Sequence, residues 1–134
     1  AYDDGSHRKA QMEYLRNFLM LEYQKGNYIV VGGDWNQCPP EIQTSIEGYI
    51  FDDKDFSPIK KEYLPDEWKW IFKNNIPTNR RVMRNWDKTA TPVTVIDFFL
   101  ISPNVENISV QNIDLGFKHS DHHPVLAKFR LAGS

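Results

Sequence analysis

Four polar patches sit where packing alone has little use for them. The first, Gly32-Gly33-Asp34-Trp35-Asn36, follows a short β-branched run, Tyr28-Ile29-Val30-Val31. Ligands of layered α/β folds gather at the carboxyl ends of strands, which puts Asp34 and Asn36 where chemistry would stand; the alternative is an Asx turn leaving the strand. The second is Asp97, in the middle of the apolar run VTVIDFFLI. Burying it as an ion costs on the order of several kcal/mol unless it is paired or well hydrogen-bonded. A histidine held in one tautomer is a recurrent partner, and backbone N–H groups are the other. The third is Lys118-His119-Ser120-Asp121-His122-His123-Pro124, with three histidines, an aspartate and a serine in five positions. The spacing is not HExxH and no cysteine stands nearby, so a structural zinc centre is not expected. The fourth, Tyr2-Asp3-Asp4, reads as a frayed terminus.

Together, a carboxylate with an amide, a buried carboxylate and an Asp-His pair suit hydrolysis of a phosphate ester. A divalent cation would neutralise the phosphoryl oxygens, an imidazole would donate to the scissile group, and a carboxylate would position or deprotonate the attacking water.

These groups need elements to hold them. The 134 residues allow one domain, and 40% hydrophobic with 25% charged residues describe a chain that folds. A net charge of -2 excludes a polybasic nucleic-acid wrapper, though not a local phosphate pocket. The single cysteine, Cys38, forbids an intrachain disulfide, and no apolar run is long enough for a membrane span. The compartment cannot be read from the start of the chain, and Gly133-Ser134 are expected to be vector residues.

Ser6 to Gly26 reads as a helix, capped by Ser6, carrying Met12, Leu15, Phe18, Leu19 and Tyr23 at helical spacing and stopped by Gly26-Asn27. Tyr28 to Val31 reads as a central strand covered on both faces, so helix plus strand make a layered α/β unit. Residues 39–91 hold five of the eight prolines and read as a long irregular excursion, with a short helix expected after Pro65. Between 58 and 88, eight basic residues face four acidic ones, leaving +4. That segment is either a solvated face or a loop bringing charge to an anionic substrate, with Arg80, Arg81 and Arg84 as candidate contacts and Trp35 beside the carboxylates. Its tryptophans, Trp68, Trp70 and Trp86, are expected in the core. Val93 to Ile101 reads as one strand apolar on both faces, Val105 to Ile113 as a wetter one, and Pro124 to Leu131 as a half-exposed one.

The same residues carry a family resemblance. Gly33-Asp34-Trp35-Asn36 resembles the strand-ending GD-x-N motif of the endonuclease/exonuclease/phosphatase family. That family includes DNase I-like nucleases, abasic-site endonucleases, inositol-polyphosphate phosphatases and neutral sphingomyelinases. Ile96-Asp97 through Ser102 resembles its I-D-x-x-x-x-S strand, and Ser120-Asp121-His122-His123-Pro124-Val125 its closing S-D-H-x-P-V motif. Gly5-Ser6-His7-Arg8 to Gln11 is similar to the way the family opens the preceding helix, so the resemblance covers essentially the whole chain.

The resemblance implies a divalent-metal-dependent phosphoesterase using Mg2+ or Mn2+. In it, Asp34 would hold or deprotonate water, and Asn36 would orient Asp34 and touch the phosphate. Asp97 would pair with His122, His122 would bind the scissile phosphate, and Asp121 would lie at the metal site with Asp34. The substrate would be a phosphodiester or phosphomonoester. A nuclease acting on DNA and a non-catalytic binding module on the same scaffold are the alternatives.

The family domain is a four-layer α/β/β/α sandwich of two half-folds, each a mainly antiparallel mixed sheet backed by helices. Residues 1–132 resemble only its C-terminal half. Ala1-Tyr2-Asp3 looks like the stretch just after the family's midpoint histidine motif. An asparagine, the main metal-binding glutamate and a histidine or tyrosine would come from the missing N-terminal half, leaving this chain inactive or nearly so. One sheet face is then expected to lie bare. A homodimer packing face to face is the favoured cover, ahead of the upstream half as a separate chain and of the excursion folding over.

Overall fold

The computed structural model describes residues 5–52, 54–82 and 85–133; Tyr2, Asp3, Asp4 and Arg84 lie outside them. In chain order the elements are α1 (Ser6–Gln24), β1 (Val30–Asp34), β2 (Ile50–Phe51), a 3-10 turn (Lys61–Tyr63), β3 (Lys69–Ile71), β4 (Asn79–Arg80), β5 (Pro92–Thr94), β6 (Asp97–Ile101), β7 (Val105–Asn112) and β8 (Val125–Leu131). The result is a mixed α+β fold in which one helix packs on antiparallel and mixed strands.

Met12, Leu15, Leu19 and Tyr23 recur every three or four residues, so α1 turns one apolar stripe inward. Leu19 is buried with Ile29, Leu64, Trp68 and Leu100, while Phe18 stays half exposed. Gly5 at φ 97 occupies the N-cap in place of the expected Ser6, which is the first helical residue. Gly26, at φ 88, ends the helix with Gly26 and Asn27 N–H groups returning to the Tyr23 and Glu22 carbonyls.

Beneath α1 runs an antiparallel sheet in the order β1-β6-β3. Alternation along β6 sends Phe98 and Leu100 toward the helix side and Asp97, Phe99 and Ile101 to the other. Contrary to expectation, β1 is not covered twice. It is an edge of its sheet, and Val30 is 43% exposed. Gly32 is required there, since a Cβ would stand 2.5 Å from the Phe99 ring lying across it.

The expected single strand Val93 to Ile101 is two strands in two sheets. β5 joins β2 in parallel and β4 antiparallel, whereas β6 joins β1 and β3. Thr78, completely buried, makes the break: its hydroxyl accepts from both Ile96 N–H (3.0 Å) and Asp97 N–H (3.2 Å). The Ile96 carbonyl in turn accepts from Trp35 N–H at 2.9 Å.

Residues 39–91 are more regular than their prolines suggest, supplying β2, the 3-10 turn, β3 and β4. The helix expected after Pro65 is a turn leading into β3. Trp68 N–H closes the turn on the Pro65 carbonyl at 3.1 Å, and Lys69, Trp70 and Ile71 then pair with Ile101, Leu100 and Phe99. Trp68 and Trp70 belong to the core under α1, as expected.

The β7–β8 hairpin takes part of the face that the sequence leaves bare. Val105, Val110 and Phe129 pack against Ile71, Phe99 and Ile101 there. Among the described residues, no helix is long and apolar enough to cross a membrane.

Candidate active site

The site lies where β1 ends and β6 begins. Antiparallel pairing sets Asp34 directly opposite Asp97, so two carboxylates meet on one face of the sheet. A third segment, residues 121–123, docks against β4: Arg80 N–H donates to the Asp121 carbonyl at 2.9 Å, and His123 N–H to the Thr78 carbonyl at 2.8 Å. That register delivers the His122 ring to the two aspartates.

His122 Nδ1 lies 2.8 Å from Asp97 Oδ2. On its other side, Nε2 lies 3.7 Å from Asp34 Oδ2, 4.0 Å from Asp121 Oδ1 and 3.2 Å from the Asn79 amide nitrogen. Asp34 forms an Asx turn and faces the histidine at once, its Oδ1 accepting from Asn36 N–H at 2.9 Å while Oδ2 turns to the ring. Asn36 takes the left-handed conformation, φ 52, that asparagine tolerates better than most residues. Ser120 Oγ accepts from His122 N–H, holding the segment's bend.

Asp34, Asp97 and His122 each offer one ligand atom within 4.8 Å of the others, so the cluster can coordinate a divalent metal. Two carboxylates and an imidazole are donors that magnesium, manganese or zinc accept.

Burial pulls the His122 ring down, but the hydrogen bond and charge of Asp97, joined by the charges of Asp121 and Asp34, outweigh it and hold the ring above its ordinary 6.5. Burial, the largest influence on Asp97, holds that carboxyl above the usual value against the pull of His122 and Thr78, and the Asp34 charge adds to the rise. The two rises have different causes: that of His122 comes from the Asp97 charge beside it, whereas that of Asp97 comes from burial outweighing the pull of His122, so the charge pairing is read from the ring. A raised folded pKa contributes stability that is complete below the unfolded value of 6.5 and fades as pH rises through the folded one. Asp97→Asn should therefore narrow its stability deficit against the parent as pH goes from about 6 to about 9. Urea unfolding at the two pH values checks this, and an equal deficit at both would deny the charge pairing.

The structure brings Asp34, Asp97 and His122 into one cluster; the Asp121 carboxylate, expected at the metal with Asp34, stands beside that cluster at 4.0 Å from the ring, and Asn36 is exposed next to Asp34. Trp35 is not brought in. Its ring stacks on Phe98 at 5.3 Å and its indole N–H donates to the Phe98 carbonyl, so it packs into the core. Arg81 is engaged by Asp52 at 2.6 Å and by Asp55. The Arg80 guanidinium reaches the Arg81 carbonyl at 3.3 Å, and its Nε is buried with no partner among the described residues. His119 is exposed.

Two contributors escape sequence reasoning, and a third, His123, is visible there only as a residue flanking His122. Thr78 and Asn79 stand in a proline-flanked stretch with no pattern of their own. His123 is buried, stacked on Phe117 at 3.8 Å, with Nδ1 donating to the Pro77 carbonyl and Nε2 accepting from Phe117 N–H. That geometry assigns His123 to holding the loop. Its type and position beside His122 give no sign of the difference.

No family model matches this sequence, and neither a curated protein nor a solved structure matches it.

Proposed function

We propose that this chain is the C-terminal half of a divalent-metal-dependent phosphoesterase domain of the endonuclease/exonuclease/phosphatase type, hydrolysing a phosphodiester or phosphomonoester. The observation that carries the reading is the His122–Asp97 pair at 2.8 Å, with a further carboxylate, Asp34, 3.7 Å from the ring's other nitrogen. A carboxylate on Nδ1 fixes the ring and favours its charged form, which is what a group that binds and stabilises a phosphoryl oxygen requires.

In this reading Asp34, its Oδ1 engaged by Asn36 N–H, keeps Oδ2 for the attacking water as orienting group or base. Asn36 holds Asp34 in place and reaches the phosphate. Asp97 holds His122 so that Nε2 faces the substrate. Asp34 and Asp121 would hold Mg2+ or Mn2+ through carboxylate oxygens, since in this reading Nδ1 of His122 is taken by Asp97 and Nε2 is kept for the substrate. A cation there supplies charge that neutralises the phosphoryl oxygens. The remaining ligands and a phosphate-binding asparagine belong, in the same reading, to an upstream half.

Metal binding by this chain alone is accordingly expected at about millimolar dissociation constants or weaker, because hard cations bind tightly only where enough oxygens converge. In an NMR titration, Mn2+ should broaden the resonances of residues 34–36 and 121–122 first. Broadening centred on Asp52 and Asp55 instead, or a micromolar constant by calorimetry, would show the ligand set misassigned.

A further inference from the structure

We propose that Asn79 is a substrate-contact residue, its side-chain amide sharing with His122 one oxygen of the bound phosphoryl group. The proposal rests on the reading of His122 as a phosphate ligand.

Asn79 is 7% exposed and sits on β4 directly opposite His122 in an antiparallel bridge. Its amide nitrogen lies 3.2 Å from the Asp121 carbonyl oxygen and 3.2 Å from His122 Nε2. A carbonyl can only accept, so the Asp121 contact fixes which end of the amide faces the site. Of the two amide hydrogens, one serves Asp121 and the other is aimed at Nε2. With that hydrogen in place, Nε2 presents its lone pair and Nδ1–H donates to Asp97.

This arrangement occupies the ring nitrogen that the proposed chemistry needs. It also places two nitrogens 3.2 Å apart where the largely buried Asn79 amide meets the partly exposed His122 ring. An oxygen seated to one side of nitrogens at that spacing can lie at ordinary hydrogen-bond distance, about 2.7–3.0 Å, from both. An anionic oxygen arriving there, with a proton on Nε2, takes one hydrogen from the ring and one from the amide. Asn79 thus becomes a second donor converging on the charge that His122 binds. If Asn79 served only to anchor the Asp121 segment, its second hydrogen would have no reason to meet the entering oxygen.

The test is a titration of this chain with inorganic phosphate in magnesium-containing buffer, following the Asn79 side-chain NH2 and the His122 ring nitrogens by NMR. Both signals should move together and saturate at one phosphate concentration. Asn79→Ala should weaken phosphate binding by about tenfold, and Asn79→Asp, of the same shape but carrying a charged acceptor, by more. An Asn79 NH2 signal that stays still while His122 titrates would overturn the proposal and leave His122 as the phosphate ligand. The proposal fails equally if Asn79→Ala binds phosphate like the parent while His122→Ala does not. Should phosphate move neither signal in the parent chain, the role of Asn79 and the reading of His122 both fail. Because the parent's own amide signal is read directly, the outcome does not depend on either variant folding.

Discussion

Phe98→Ala is expected to destabilise the domain by about 3–5 kcal/mol, the usual cost of deleting a buried aromatic ring. Phe98 is 1% exposed on the central strand β6. Its ring stacks on Trp35 at 5.3 Å and meets the edges or faces of Trp70 at 5.8 Å and Phe72 at 6.5 Å. Three neighbouring rings, Trp35 after β1 and Trp70 and Phe72 along β3 and its end, are held by two paired strands and cannot all collapse into the space, so most of the cavity persists. Against the roughly 5–15 kcal/mol that a domain possesses, such a loss is large. The site feels it directly, since Phe98 follows Asp97 and its carbonyl anchors the Trp35 indole beside Asp34. Urea unfolding with an unchanged slope checks the figure; a cost under about 1 kcal/mol would mean the three rings repack.

What could be read from the chain and what could not divide along a physical line. Asp97 is visible in one dimension because it is polar in an apolar run, Asp34 because it follows a strand that ends in two glycines, and Asp121 and His122 because three histidines crowd a strand start. The stripe of α1 is equally local, as are the glycine stop at Gly26 and the hairpin strands β7 and β8. The break between β5 and β6 is not local: it is made by the Thr78 hydroxyl, 18 residues before Ile96. Nor is the fate of Lys69-Trp70-Ile71, where acidic residues after Pro65 suggest a helix start, yet the waiting edge of β6 recruits the segment as a strand. The bare flank of β1 follows from strand order, which hydropathy does not encode. Asn79 and His123 acquire their roles only when residues 77–79 and 121–123 pair. Before that pairing they are an ordinary amide and one histidine among several.

The larger functional effect is expected at His122. Within the complete domain that the proposed function implies, His122→Ala removes both the group that holds the phosphoryl oxygen and the partner that makes Asp97 tolerable in its partly buried position. A positioned acid–base group contributes about 10²–10⁴-fold in rate, and hydrolysis should fall by that factor. Asp97→Asn should follow in the same direction by a smaller factor, because the ring stays in place and loses only its charged support. The fold should survive His122→Ala, since the ring is about a third exposed and its backbone contacts remain.

The most direct measurement is hydrolysis of a panel of phosphodiesters and phosphomonoesters by that complete domain, parent against His122→Ala, with magnesium or manganese and with a chelator. The parent should turn over at least one ester in a reaction that requires the cation and drops by about 10²–10⁴-fold in the variant. Turnover that is indifferent to both the chelator and the loss of His122, or no turnover and no metal binding under any condition, would contradict the assignment of this site.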